Sequence, residues 1–263
     1  MNSSGAAYLF HGPITGTWTT DQAWASFEGQ RYLGYAGFNV GMLGDVDGDG
    51  AAEVGINNAL YNGGAEPASI YVFQGPVAAG AHALESATAD GNMGGNRAPS
   101  DLLPGSAGDV NGDGYSDVFV GNGSDGEVYI VHGGSPMSWP GSLAGGADVV
   151  LLESSSSAAG DHVAAAGDLD CDGFDDLLVG APSSNGGANY AGAAYVVMGP
   201  LEGGTYSLAN ADSAAYGSTM GQYMGAAVAG VGDISGGGCA DIAISAAYDN
   251  GGYVMFFYPE SGL

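Results

Sequence analysis

The sequence contains no lysine, and its only arginines are Arg31 and Arg97, set against 29 Asp and Glu for a formal net charge of −27. Such a surface repels nucleic acid and lacks the basic patches that hold anionic membranes, so neither is an expected partner. Cations are. General acidity, for solubility or for a saline habitat, accounts for scattered acids but not for clustered ones. Long apolar runs are also missing: none approaches the ~20 residues of a membrane span, which argues against membrane insertion. The N-terminus, "MNSSGAAYLF", has neither a basic segment nor a signal-peptide core. Either the protein is cytoplasmic or an export signal lies outside this chain. Two cysteines, Cys171 and Cys239, are too few for a disulfide framework. No H-E-x-x-H or G-x-S-x-G motif occurs, and His11, His82, His132 and His162 are scattered. No segment carries a convincing helical stripe.

Glycine is abundant instead, 51 of 263 residues, without the every-third spacing of collagen. With many Val, Tyr and Ala, it points to short strands joined by many turns. The length suits one large all-β domain or two smaller ones.

One nine-residue stretch recurs. It reads "DVDGDGAAE" at 45–53, "DVNGDGYSD" at 109–117, "DLDCDGFDD" at 168–176 and "DISGGGCAD" at 233–241, with starts 64, 59 and 65 residues apart. A period near 60 is the mark of a repeat architecture. A Tyr-rich strand keeps the same rhythm: "IYVFQGP" (70–76), "VYIVHGG" (128–134), "AYVVMGP" (194–200) and "GYVMFFYP" (252–259), with a leading copy, "AYLFHGP" (7–13). Before each acidic loop comes a strand of small residues, such as "HVAAAGD" (162–168). After it comes an almost wholly apolar one: "EVGINNA", "DVFVGN", "DLLVGAP" or "DIAISAA". A weaker polar segment supplies a fourth, outer strand. Strands apolar on both faces need both faces covered. The reading is therefore all-β: a β-propeller of ~60-residue, four-stranded blades, four full repeats plus a leading partial one. The units span 1–30 (partial), 31–90, 91–150, 151–212 and 213–263. A β-sandwich would leave the period unexplained.

In the first three copies positions 1, 3 and 5 carry Asp or Asn and position 9 is Glu53, Asp117 or Asp176, and position 6 is glycine each time. Alternate residues of a tight loop can point inward, which is the logic of calcium loops built from hard oxygen ligands. The candidate ligands are Asp45, Asp47, Asp49 and Glu53; Asp109, Asn111, Asp113 and Asp117; and Asp168, Asp170, Asp172 and Asp176. The position-7 carbonyls of Ala51, Tyr115 and Phe174 would complete them. This ligand count falls in calcium's range of about six to eight, whereas magnesium keeps a stricter octahedron and more water. About three Ca2+ sites are expected. An EF-hand is excluded, because position 12 is Ile56, Val120, Val179 or Ile244, inside an apolar strand. The bland alternative is an Asx-rich turn. Three copies at one place in a repeat weigh against it, since uncompensated carboxylates ~4 Å apart repel by up to ~4 kcal/mol at an effective dielectric of ~20. The fourth loop has Ser235 and Gly237 at positions 3 and 5, and is expected to be weak or empty.

These residues resemble the FG-GAP repeats of integrin α-subunit propellers and their bacterial relatives. The resemblance lies in "GDVNGDGYSD" (108–117) and "GDLDCDGFDDLLVGAP" (167–182). The other copies have "GNG", "NNA" and "SAA" where the GAP stands, and the FG element survives as "GFN" (37–39) and "MGA" (224–226). The resemblance covers nearly the whole chain. It implies a propeller with calcium between the first and second strands of each blade, and a family ring usually has seven blades. This chain, with its partial first unit, would then be a piece of a longer propeller. A small closed ring or self-association is the alternative.

Three further features can be weighed on the residues. His11 and His132 share a slot with Gln74 and Met198 and are read as surface strand ends. Trp18, Trp24 and Trp139 are read as packing between blades rather than stacking on sugars. A Cys171–Cys239 bridge between adjacent units would be a structural staple, but neighbouring loops are expected to stand too far apart for disulfide geometry. The expected function is a non-enzymatic, calcium-stabilised module of an extracellular or surface protein, acting in adhesion or in binding a protein or carbohydrate ligand. A polysaccharide-acting enzyme domain and a purely structural spacer are the alternatives.

Overall fold

The computed structural model describes residues 4–30, 34–58, 68–84, 91–94, 102–248 and 252–257. Arg31, Arg97, Ala59 and the 258–259 end of the last Tyr-rich motif lie outside the described residues. The strands in chain order are β1 (Ala6–Leu9), β2 (Ala25–Glu28), β3 (Ala36–Gly44), β4 (Glu53–Asn58), β5 (Ser69–Phe73), β6 (Gly80–Ala83) and β7 (Gly91–Gly94). There follow β8 (Leu103–Gly108), β9 (Asp117–Asn122), β10 (Glu127–Val131), a one-turn helix α1 (Leu143–Gly146) and β11 (Val149–Leu152). The chain continues with β12 (His162–Gly167), β13 (Asp176–Ala181), β14 (Ala193–Val197), β15 (Gly204–Ser207), β16 (Ser213–Tyr216), β17 (Met224–Gly232), β18 (Asp241–Ala246) and β19 (Tyr253–Phe257).

Each repeat forms one antiparallel sheet: β3-β4-β5-β7, β8-β9-β10-β11, β12-β13-β14-β16 and β17-β18-β19. The leading partial repeat contributes β1-β2. Two strands do not stay at home. β6 runs parallel to β2, and β15 parallel to β11, so each extends the outer edge of the preceding sheet before the chain returns to finish its own. The periodicity does not reveal this exchange, because these short polar segments carry no pattern that distinguishes one edge from another.

The second strand of each unit explains the packing. β4, β9 and β13 are buried at every position. They can be apolar on both faces because a sheet lies on each side. An apolar cluster accordingly spans each junction: Phe27 with Ile56 and Phe73, Leu43 and Ile70 with Val118 and Tyr129, Val128 and Leu151 with Leu177 and Tyr195, and Leu178 and Val196 with Ile242 and Ile244. Sheets stacked face to face along a series of inner strands make this a β-propeller architecture.

The entry to each acidic loop is a glycine bulge. Register shifts at the end of β3, β8, β12 and β17, and the ladder closes by pairing Gly44 with Glu53, Gly108 with Asp117, Gly167 with Asp176 and Gly232 with Asp241. All four glycines have φ between 66° and 85°, a region closed to most side chains. The bulge turns the strand and aims the position-9 acid back under the loop.

The aromatics and cysteines find specific partners. Trp24 stacks on His11 and donates to the Val77 carbonyl, Trp18 sits edge-on to Phe10, and Trp139 packs against the cluster around Leu43 and Tyr129. Cys171 and Cys239 are disulfide-bonded with Cα atoms 5.4 Å apart, so the expected separation of neighbouring loops is wrong. The reason is a direct backbone link between loops. The position-8 amides of Ser116, Asp175 and Ala240 donate to the position-1 carbonyls of Asp45, Asp109 and Asp168 in the loop before, at 2.9–3.1 Å. Each link brings position 4 of one loop onto position 7 of the next. A Cβ on Gly48 would lie 2.7 Å from the Tyr115 ring, and one on Gly112 2.4 Å from the Phe174 ring. Cys171 and Cys239 occupy the third instance of that same pair.

Candidate metal centres

The loops are organised from position 1. The Asp45 carboxylate accepts the amides of Gly48 and Gly50, Asp109 those of Gly112, Asp113 and Gly114, and Asp168 those of Asp172 and Gly173, at 2.7–3.0 Å. A short acid followed by small residues folds this way locally, because the side chain satisfies amides that no strand can reach. Position 5 does a similar task one step on: Asp49, Asp113 and Asp172 accept the amides of Ala51, Tyr115 and Phe174 at 2.8–3.0 Å.

Position 9 is the anchor. Glu53, Asp117 and Asp176 are completely buried, and each carboxylate bridges two parts of its unit. One oxygen accepts the position-2 amide, from Val46, Val110 or Leu169, at 2.7–2.9 Å. The other accepts a glycine amide just beyond the third strand, from Gly75, Gly133 or Gly199, at 2.9–3.2 Å. Burial pushes the carboxyls of Asp117 and Asp176 up to about 6, and that of Glu53 upward, against the opposing pull of these amides. Neighbouring acids push the same way, Asp113 on Asp117 and Asp170 with Asp172 on Asp176. A carboxylate that is both buried and crowded by like charge is one that a bound cation would relieve.

In the first and third loops the acids converge. Asp45, Asp47 and Glu53 each offer an oxygen within 4.8 Å of the others, and so do Asp168, Asp170 and Asp176. Two oxygens sharing one calcium at about 2.4 Å can be at most about 4.8 Å apart, so these sets fit a hard divalent ion. Positions 1, 3 and 9 make these groups, while Asp49 and Asp172 stand outside them. In the second loop Asn111 takes position 3: its amide oxygen accepts the Asp113 amide, and its nitrogen donates to Asp113 Oδ2. Asp109 and Asp117 there keep the same backbone partners as their counterparts. The fourth loop keeps the frame with acids at positions 1 and 9 only. Asp233 caps Gly236, Gly237 and Gly238, and buried Asp241 accepts the amides of Ile234 and Ser235. The Ser235 hydroxyl fills position 3, reaching both Asp233 and Asp241.

Two features escaped the sequence reading. The slot after the third strand is no mere surface end. Gln74 donates to Asp47 Oδ2 at 2.9 Å, and half-buried His132 meets the Leu201 carbonyl of the next unit at 2.8 Å while its charge favours ionised Asp117. The glycine that follows is part of the site as well. A Cβ at Gly75, Gly133 or Gly199 would lie 2.5–2.6 Å from loop atoms at positions 7 and 8. The recurring G after the Tyr-rich strand was the available signal.

The FG-GAP repeat family model matches residues 105–131 and 159–197, which hold the second and third loops with their flanking strands. Integrin alpha-V of Gallus gallus is 31% identical over 202 residues, 70% of this chain and 17% of that protein. Integrin alpha pat-2 of Caenorhabditis briggsae is 37% identical over 101 residues, 38% of this chain and 8% of its own length. The Caenorhabditis elegans protein of the same name is 36% identical over 101 residues, again 38% of this chain and 8% of its own length. The chain therefore spans less than a fifth of the curated relatives it matches.

Proposed function

The chain belongs to the FG-GAP repeat family, and from that premise we propose that it is a calcium-binding, non-enzymatic propeller module for adhesion or ligand binding on an extracellular or surface protein. The observation that carries the calcium reading is the convergence of Asp45, Asp47 and Glu53, repeated by Asp168, Asp170 and Asp176 at the same place one repeat-pair later. An Asx turn needs only position 1. It does not require positions 3 and 9 to be acidic and to face one another. We assign the second loop, Asp109, Asn111, Asp113 and Asp117, to the same role with an amide oxygen in place of one carboxylate. The carbonyls of Ala51, Tyr115 and Phe174 add a ligand to each site.

The calcium is structural. It neutralises clustered acids in a chain that has no lysine and only two arginines, and it ties the buried position-9 carboxylate to the loop. At free calcium ten times Kd each site adds about 1.4 kcal/mol, so three sites are a sizeable share of domain stability. Sites of this kind suit the millimolar calcium outside cells. The Cys171–Cys239 bond supports the same location, because disulfides persist in oxidising compartments. Adhesion or ligand binding rests on the likeness to the integrin alpha chains.

The test is thermal unfolding in millimolar calcium, in millimolar magnesium and in excess chelator. A midpoint raised by calcium well beyond magnesium is the expected result. Equal midpoints in all three would reduce the loops to turns and remove the calcium argument for an extracellular site of action, leaving only the disulfide's. With the calcium effect in hand, a screen of protein and carbohydrate ligands in calcium separates a binding module from a spacer.

A further inference from the structure

We propose that the chain dimerises with a second copy of itself by seating β19 of one copy in an apolar groove beside β1 of the other. The argument starts from two matching backbone bridges. Gly5 pairs in parallel with Ala36, and Gly192 pairs in parallel with Met224. β1 therefore stands to β3 as β14 stands to β17. Between β14 and β17 the space is filled: β13 pairs with β14, and β12 lies so close to β17 that a Cβ on Gly230 would sit 2.4 Å from the Ala165 carbonyl. Between β1 and β3 no described strand intervenes. There the structure has a groove of about 400 Å³, walled by Tyr8, Leu9, Val40 and Met42 and floored by Phe27 and Ile56. Where β17 has Gly230, β3 has Met42, and both Val40 and Met42 are 54% exposed.

The groove asks for a particular occupant. β1 pairs only with β2 among the described strands, so one row of its main-chain donors and acceptors meets no described strand. A filler must bring a free edge to that row and apolar side chains to the walls. β19 has both. It pairs only with β18 among the described strands, and its YVMFF sequence leaves Val254 59% and Phe256 49% exposed. Seating it there continues the sheet-on-sheet interface that already joins every successive pair of units. Neither surface carries an acid, so the contact is neutral within a chain of net charge −27. Repulsion between the two copies acts at longer range, and association should strengthen with salt. Nothing in this pairing depends on calcium.

The test is sedimentation velocity of the whole chain across a wide concentration range at low and high salt, with Met42→Glu and Phe256→Glu as variants. Both side chains are about half exposed in the single copy, and circular dichroism with a melting curve confirms each fold. The expected result is a monomer–dimer equilibrium, favoured by salt, that each variant weakens at least about tenfold. An equimolar mixture of the two variants should recover part of the dimer, because β19 of the Met42→Glu copy meets an intact groove on the other. A monomer at every concentration overturns the proposal. A dimer indifferent to both variants overturns it by placing the contact elsewhere. A monomer whose melting point falls in both variants points to the chain's own β19 as the occupant, and also overturns it.

Discussion

At the scale of single residues, the loop divides its work between shape and charge. Position 1 holds the turn through backbone amides, so its removal damages the loop with or without a cation. Position 3 is the cleaner probe: Asp170 holds one amide, that of Asp172, at 3.2 Å and otherwise faces the other acids. Asp170→Ala is expected to lose about one site's share of calcium stabilisation, near 1.4 kcal/mol at ten times Kd, and to melt with the parent protein in chelator. An equal loss in both conditions would assign Asp170 to the turn alone. Gly133→Ala probes the other partner of position 9. Its Cβ would meet the Ser116 carbonyl at 2.5 Å and displace the amide that holds Asp117. A loss of about 1–3 kcal/mol from overpacking is expected in chelator, with a further loss in calcium, read from melting curves in both. The acids of this site were legible in the sequence because they recur at fixed spacing. Gln74 and His132 were not, because a slot whose residue changes from unit to unit carries no repeat signal.

At the scale of elements, the loops form a ladder in their own right. Each position-8 amide reaches the loop before, and each position 4 meets the following position 7. The disulfide replaces a glycine–aromatic contact in that ladder and closes a separation of 68 residues. Cys171→Ser with Cys239→Ser should therefore destabilise the protein by about 2–4 kcal/mol in non-reducing buffer, measured by denaturant unfolding. In reducing buffer the parent and the double variant should converge. Failure to converge would mean that the serines, not the lost bond, cause the damage. The second strands are the other decisive element. Leu177 is fully buried between two sheets, and Leu177→Ala is expected to cost about 2–5 kcal/mol, independent of calcium and visible in the same unfolding curves. The double-sided burial of these strands was readable from their unbroken apolar runs. The excursions of β6 and β15 to the preceding sheet were not, since four-residue polar segments specify no partner edge.

For the whole molecule, electrostatics dominates. A net charge of −27, with two arginines and no lysine set against 29 acids, leaves the fold straining against its own repulsion. Sodium chloride should raise the melting point in chelator by screening, and the calcium increment should persist on top of it, because the position-9 acids are buried beyond the reach of the ionic atmosphere. A calcium effect that vanished at high sodium chloride would be general screening and not site binding. The same long-range repulsion is what salt must overcome for two copies to meet.

By itself the sequence determined the repeat, the all-β class, the order of strands within a unit and the acids of each loop, all of which are periodic and local. Hydrophobic alternation, turn residues and spacing act over a few residues, so they can be read without coordinates. The tertiary structure alone decided which distant groups meet: the amide of Gly133 at Asp117, Cys171 at Cys239, β15 at the edge of β11, and, among the described residues, the walls of the groove between β1 and β3. Those contacts depend on how one sheet is placed against the next. That placement is set by close packing of side chains from different units, which no single repeat contains.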